Sequence, residues 1–131
     1  MKNVLITGIS GMVGSHLADY ILENTDWQVH GLMRWIDDTK NISHLSKRIN
    51  EKDRVFLHNG DLNDFASLLS VVNKTKPDYV FHLAAQSYPK TSFDAPLDTL
   101  NTNIIGTAKL LEAVISPPPL KPSPAVSVTP L

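Results

Sequence analysis

The sequence contains no cysteine. This excludes disulfides, thiolate metal sites and a cysteine nucleophile. It also lacks an excess of either charge, with 12 lysines and arginines against 13 aspartates and glutamates and a formal net charge of −1. Such a balance argues against a field built to hold nucleic acid or an anionic membrane surface. No apolar run approaches the ~20 residues of a membrane-crossing helix. The start, Met1-Lys2-Asn3 followed by a short apolar run, is not a secretory signal. A reducing cytoplasm fits these absences best. The five histidines are scattered without metal-ligand spacing. What is present is a hydrophobic fraction of 42% in 131 residues, enough for the packed core of one domain.

Periodicity divides the chain into alternating strands and helices. Val4 to Thr7 is a short apolar run that suits a strand buried on both faces. From Met12 the period changes, and Val13, Leu17 and Ile21, with Ala18 and Leu22, make a helical stripe. Gln28 to Arg34 reads as a second strand. The polar stretch 37–53 carries a modest helical patch at Ile42, Leu45 and Ile49. Arg54 to His58 reads as a third strand, Asp64 to Val72 as a short helix, and Tyr79 to Leu83 as a fourth strand. A last helix is expected to start near Pro96, a suitable first-turn residue, and to run through Leu97, Leu100, Ile104, Ala108, Leu111 and Val114. Residues 1–115 thus predict an α/β fold with four βα units in a parallel sheet, roughly half of a doubly wound Rossmann fold.

The junction of the first strand and helix reads Thr7-Gly8-Ile9-Ser10-Gly11-Met12-Val13-Gly14. Gly8 permits the tight turn, Gly11 lets a pyrophosphate approach the backbone, and Gly14 lets the helix pack close to the strand. The helix N-terminus then offers free amides and a partial positive charge to phosphates. Three glycines that merely serve a turn are the plainer reading, but this loop opens a βαβ unit, the setting that dinucleotide binding requires. An acidic residue closing the second strand would hold a ribose 2′-hydroxyl. Here Arg34 occupies that place, and Asp37 and Asp38 come later. A guanidinium pairs a 2′-phosphate bidentately and stacks on adenine, which favours NADP over NAD. Asp61, after the third strand, is placed to accept from the adenine amino group, with Leu62 packing near the ring. Capping the next helix is an equally ordinary role for Asp61 or its neighbours.

Taken together, the loop of Gly8, Gly11 and Gly14, then His30-Gly31 with Arg34, Gly60-Asp61-Leu62 and Leu83-Ala84-Ala85-Gln86-Ser87 resemble the extended short-chain dehydrogenase/reductases. Within them the chain looks most like the GDP-mannose 4,6-dehydratases, and Asn101-Thr102-Asn103-Ile104-Ile105-Gly106-Thr107 matches a helix of that family. The resemblance covers residues 2 to about 115. It implies a cofactor site formed by Gly8, Ser10, Gly11, Met12, Val13, Gly14, Arg34, Asp61, Leu62, Leu83, Ala84 and Ala85. Gln86 and Ser87 would begin the pocket for a nucleotide sugar, although an exposed loop after a strand is the plainer role for both. Asn103 would sit close by with its amide bonded to backbone. His82 reads as a buried strand residue rather than a catalyst. The implied reaction is dehydration of GDP-mannose to GDP-4-keto-6-deoxymannose by internal redox, with NADP regenerated. Other nucleotide-sugar epimerases or reductases, or a non-catalytic dinucleotide-binding module, are the alternatives. No nucleic-acid or membrane partner is implied, and a homo-oligomer is expected only of a full-length enzyme.

Family chemistry needs a tyrosine four positions before a lysine. Tyr20 is followed four on by Asn24, Tyr79 by Leu83 and Tyr88 by Ser92, so no catalytic residue is assigned within the chain. The expectation is a chain cut short after its cofactor-binding part. Residues 116–131 hold six of the nine prolines and predict an extended, disordered tail. Permissible codons for Pro117 to Val128, read two bases later, give a serine-serine-glutamate stretch like one the family places here. A shifted reading frame therefore accounts for the tail, with a native extension or a cloning artefact as the other accounts.

Overall fold

Four parallel strands, β1 (Asn3–Thr7), β2 (Gln28–Met33), β3 (Val55–Asn59) and β4 (Tyr79–His82), form one sheet in the order β3-β2-β1-β4. They are seen in a computed structural model that describes residues 1–118. The tail expected over 116–131 therefore lies, from residue 119 onward, outside the described residues. Leu5 pairs with His30 on one side and Val80 on the other, and Ile6 with Gly31 and Phe81. The predicted parallel sheet with helical crossovers is the fold observed.

Alternation along β1 builds two cores. Val4 and Ile6 face one layer with Val29 and Val55, covered by Ala18, Ile21 and Leu22 of α1 (Met12–Asn24) and by Ile42 and Leu45 of a 3₁₀ turn (Lys40–Leu45). A short α2 (Ser46–Asn50) follows. Leu5 and Leu32 face the other layer, covered by Leu68, Val71 and Val72 of α3 (Phe65–Thr75) and by Leu110 and Ala113 of the last helix. Both central strands are buried on both faces, as the apolar run of β1 leads one to expect and as β2 achieves with His30 and Gly31 within it. Among the described residues β4 pairs only with β1, so Tyr79 and Phe81 are exposed at that edge.

The C-terminal segment departs from its expected form. It comprises α4 (Pro89–Asp94), α5 (Pro96–Leu100), a π turn (Asn101–Ile105) and α6 (Gly106–Ile115). The expected stripe Leu97, Leu100, Ile104, Leu111 and Val114 faces outward, with Leu97 78% and Leu111 60% exposed. The core instead takes in Leu110 (3% exposed) and Ala113, with Gly106 buried against Leu62. This helix is apolar on two sides, and periodicity alone cannot say which side is covered. Gly106 decides it, because a Cβ there would lie 2.7 Å from Cβ of Leu62. Val13, the first residue of the predicted α1 stripe, is likewise exposed.

Arg54 is a second correction, since it lies before β3 rather than in it. Its φ is +64°, in the left-handed region. That conformation turns the guanidinium back onto the end of α1, where it donates to the carbonyls of Leu22 (3.2 Å), Thr25 and Trp27 (3.1 Å). A cation at a helix C-terminus also complements the macrodipole. Arg54→Ala should lower stability by about 2 kcal/mol, the scale of a charged hydrogen-bond donor lost from partly buried acceptors. Arg54→Gly should recover part of that loss, because glycine adopts positive φ without strain. Denaturant unfolding measures both; an unchanged midpoint for Arg54→Ala contradicts the assignment.

Candidate functional site

At the C-terminal ends of the strands lies a cavity of about 690 Å³. The turn after β1 forms its floor. Gly8 has φ +74°, and its carbonyl accepts from the Gly11 amide at 3.0 Å. A Cβ on Gly14 would lie 2.2 Å from that carbonyl oxygen, so the first turn of α1 sits directly against the loop. Ile9, fully buried, fills the space left by Gly31 in β2. Gly11 is the N-cap of α1, which has no side-chain cap and no acidic residue in its first turn. The end of the helix is left to present its backbone amides to an anion.

The cavity brings together Gly8, Ser10, Gly11, Arg34, Asp61, Leu62, Leu83, Ala84, Ala85, Gln86 and Ser87 from four separate segments. Met12 and Val13 do not line it; both are exposed on the first turn of α1, and Gly14 is buried behind the loop. Asp64, not Asp61, caps α3, accepting from the Ser67 amide at 3.2 Å. Asp61 keeps its carboxylate at the cavity, with Oδ1 accepting from the Asn63 amide at 2.9 Å. Leu62 is 5% exposed and serves both as cavity wall and as core beneath Gly106.

The resemblance implied an Asn103 amide bonded to backbone, and it is so bonded to Gln86, but sequence reasoning missed the roles of Thr7, His82 and Thr107 in holding the loop after β4. Thr7 is fully buried, and its hydroxyl accepts from the amides of Leu83 (3.0 Å) and Ala84 (3.1 Å). A hydroxyl has one proton, and here it goes to His82 Nδ1 at 2.8 Å. His82 must then carry its proton on Nε2, donating to Thr107 Oγ1 at 2.9 Å, which donates in turn to the Asn103 carbonyl at 2.6 Å. The Asn103 side chain closes the chain by accepting from the Gln86 amide (2.8 Å) and donating to the Gln86 carbonyl (2.9 Å). One relay therefore fixes residues 82–86 to β1, the π turn and α6. Its members are far apart in sequence, so no local pattern announces it. Asn41 was missed for the same reason: it lines the cavity and donates to the Ser10 carbonyl at 3.0 Å. The Gln86 side chain is occupied, accepting from Tyr88 N in its own loop and donating to Thr99 Oγ1 of α5.

Burial pushes the His82 imidazole below its ordinary range, in keeping with a neutral relay member. Under α3, His30 (8% exposed) lies 3.1 Å from His58 and stacks on Phe56. Burial, then the neighbouring His58 and Lys74, push His30 down to about 4. The unfolded chain takes up the His30 proton near the ordinary histidine value of about 6.5, whereas the folded chain resists until near 4. Stability is therefore fully present above that ordinary value and falls as pH drops toward 4. The His30 contribution alone should remove about 2 kcal/mol between pH 7 and pH 5. Denaturant unfolding across this range should show the loss, and His30→Gln should flatten it; identical profiles contradict the assignment.

Residues 5–119 match the family model described as GDP-mannose 4,6 dehydratase. A GDP-mannose 4,6-dehydratase of Yersinia enterocolitica is 42% identical over 117 residues, covering 87% of this chain and 31% of the relative. A human GDP-mannose 4,6 dehydratase is 41% identical over 118 residues, covering 86% and 32%. Among solved structures, UDP-glucose 4-epimerase from Thermotoga maritima with UDP-glucose superposes with a TM-score of 0.71 at 29% identity, covering 85% of this chain and 33% of that one. UDP-glucose 4-epimerase from Thermus thermophilus, complexed with NAD, gives 0.69 at 27% identity, with the same coverage. This chain spans about a third of the length of the relatives it matches. No helix of the described residues is long and apolar enough to cross a membrane. The family model spans most of the chain, and on that match the chain belongs to the GDP-mannose 4,6-dehydratase family.

Proposed function

We propose that this chain is the NADP-binding N-terminal portion of a cytoplasmic enzyme that dehydrates GDP-mannose to GDP-4-keto-6-deoxymannose. The observation that carries the reading is the uncapped start of α1 opening on the cavity, with the Gly8–Gly11 turn beneath it and Arg34 at the rim. These residues fit a dinucleotide. Backbone amides at the helix start suit a pyrophosphate, and a Cβ on Gly11 would meet only the Gly8 carbonyl, at 3.2 Å. Arg34 is the group that would pair a 2′-phosphate, and Asp61 the one that would accept from an adenine amino group.

When bound, the nicotinamide supplies a reversible hydride acceptor, so that redox stays internal to the sugar. The chain's own residues bind and orient. Met12, Val13 and Gly14 contribute backbone at the start of α1, and Leu83, Ala84 and Ala85 form an edge held by the Thr7–His82–Thr107 relay. Gln86 and Ser87 stand where the sugar pocket would begin. With the Gln86 side chain bonded to Tyr88 and Thr99 and its amide and carbonyl both bonded to Asn103, the Ser87 hydroxyl is the group on offer. Homo-oligomerisation is proposed only for a full-length enzyme. The family's tyrosine–lysine pair is not among these 131 residues. A dinucleotide-binding module without turnover is the second reading, and these residues by themselves should not dehydrate GDP-mannose.

Calorimetric titration tests cofactor binding and cofactor choice. Arg34→Ala should weaken NADP by about 1–3 kcal/mol and leave NAD nearly unchanged; an equal loss for both removes Arg34 from the phosphate role. Gly11→Val should abolish binding of either dinucleotide, because the side chain occupies the approach to the helix N-terminus. Retained affinity would mean that the loop is only a turn.

A further inference from the structure

Arg34 does not stand free at the rim of the cavity. Its Nε and Nη2 both donate to Asp37 Oδ1, at 3.0 and 2.8 Å. The other carboxylate oxygen, Oδ2, accepts from the Arg34 backbone amide at 2.9 Å, and the Asp37 amide donates to the Arg34 carbonyl at 3.0 Å. Asp37 is thus anchored by backbone bonds that persist wherever the Arg34 side chain goes. It is also the more enclosed partner, with its side chain 22% exposed against 53% for Arg34.

We propose that Asp37 is a specificity-determining residue that restrains the preference for a 2′-phosphorylated dinucleotide, by occupying the guanidinium fork that the phosphate would use. The proposal rests on the reading of Arg34 given above. A guanidinium has five donors, and the Nε/Nη2 edge is one of two places where it grips an oxyanion with two parallel bonds. That edge is taken. A phosphate that displaces Asp37 leaves a backbone-fixed carboxylate beside a dianion. A phosphate that uses the remaining Nη1/Nη2 end meets a guanidinium whose charge is already offset. Both routes cost binding energy that an unphosphorylated ribose does not lose. The rest of the cavity adds little compensation: Asp38, Asp61 and Asp98 line it, against Lys40.

Asparagine at position 37 keeps the shape and an acceptor for the Arg34 amide while removing the charge. Titrating NADP and NAD separately into the wild-type chain, Asp37→Asn, Arg34→Ala and the double variant gives a closed cycle. Asp37→Asn should tighten NADP about fivefold, the scale of a released partly exposed ion pair, and change NAD by less than twofold. In the Arg34→Ala background most of the gain should vanish, leaving only the relief of repulsion between the carboxylate and the phosphate. Asp37→Ser, which also retains a small acceptor, should behave as Asp37→Asn does. Weaker NADP binding by Asp37→Asn would overturn the proposal, since Asp37 would then be aligning Arg34 rather than occupying it. An equal gain for NAD, or a gain undiminished by loss of Arg34, would overturn it as well. If neither dinucleotide binds the wild type or any variant, the dinucleotide-binding reading itself fails and takes this proposal with it.

Discussion

The carbonyl oxygen of Gly8 and the Cα of Gly14 are close enough that a single methyl group between them would sit 2.2 Å from the oxygen. Much of the site depends on that approach. It brings the start of α1 over the end of β1, so that the helix axis points its free amides into the space above the sheet. It also seats Ile9 against Gly31, which ties the loop to β2 and so to the position of Arg34. Any side chain at Gly14 would push the helix away from the strand. Gly11 stands differently, because a Cβ there touches only one backbone atom at 3.2 Å. Gly14 is thus required by the fold, whereas Gly11 is the glycine whose open side faces a ligand.

The second dependence is polar. Thr7 ends β1 with a hydroxyl that is saturated by two amides and one imidazole. That single buried oxygen fixes the tautomer of His82, and through Thr107 and Asn103 it sets the path of the chain at Gln86. The π turn at Asn101–Ile105 lies where Asn103 must turn toward the loop, in keeping with the tendency of such turns to occur at functional positions. A partly buried, fully bonded network of this kind favours one loop conformation, because each broken link would leave a polar group unpaired.

The parallel sheet and the glycine turn were legible in the sequence, because each rests on a local signal. An unbroken apolar run marks β1, and glycine spacing marks the close approach. Arg34 and Asp61 were legible as positions at strand ends. What was not legible depends on contacts between distant segments. The covered side of α6 is chosen by Gly106 meeting Leu62, and periodicity points equally well to its exposed side. The Thr7 relay joins residues up to 100 positions apart. The grip of Asp37 on Arg34 is short in sequence, yet it arises from the turn after β2, whose geometry no composition rule announces.

The central claim is that the turn after β1, the Arg34 corner and the loop after β4 form one dinucleotide site. Amide chemical-shift mapping by nuclear magnetic resonance during NADP titration tests it most directly. The account predicts saturable shifts concentrated at residues 8–14, 34, 61–62 and 83–86, with the β1–β4 ladder at the opposite end of the sheet unmoved. Shifts that fail to saturate, or that fall elsewhere on the surface while the glycine turn stays silent, would contradict it.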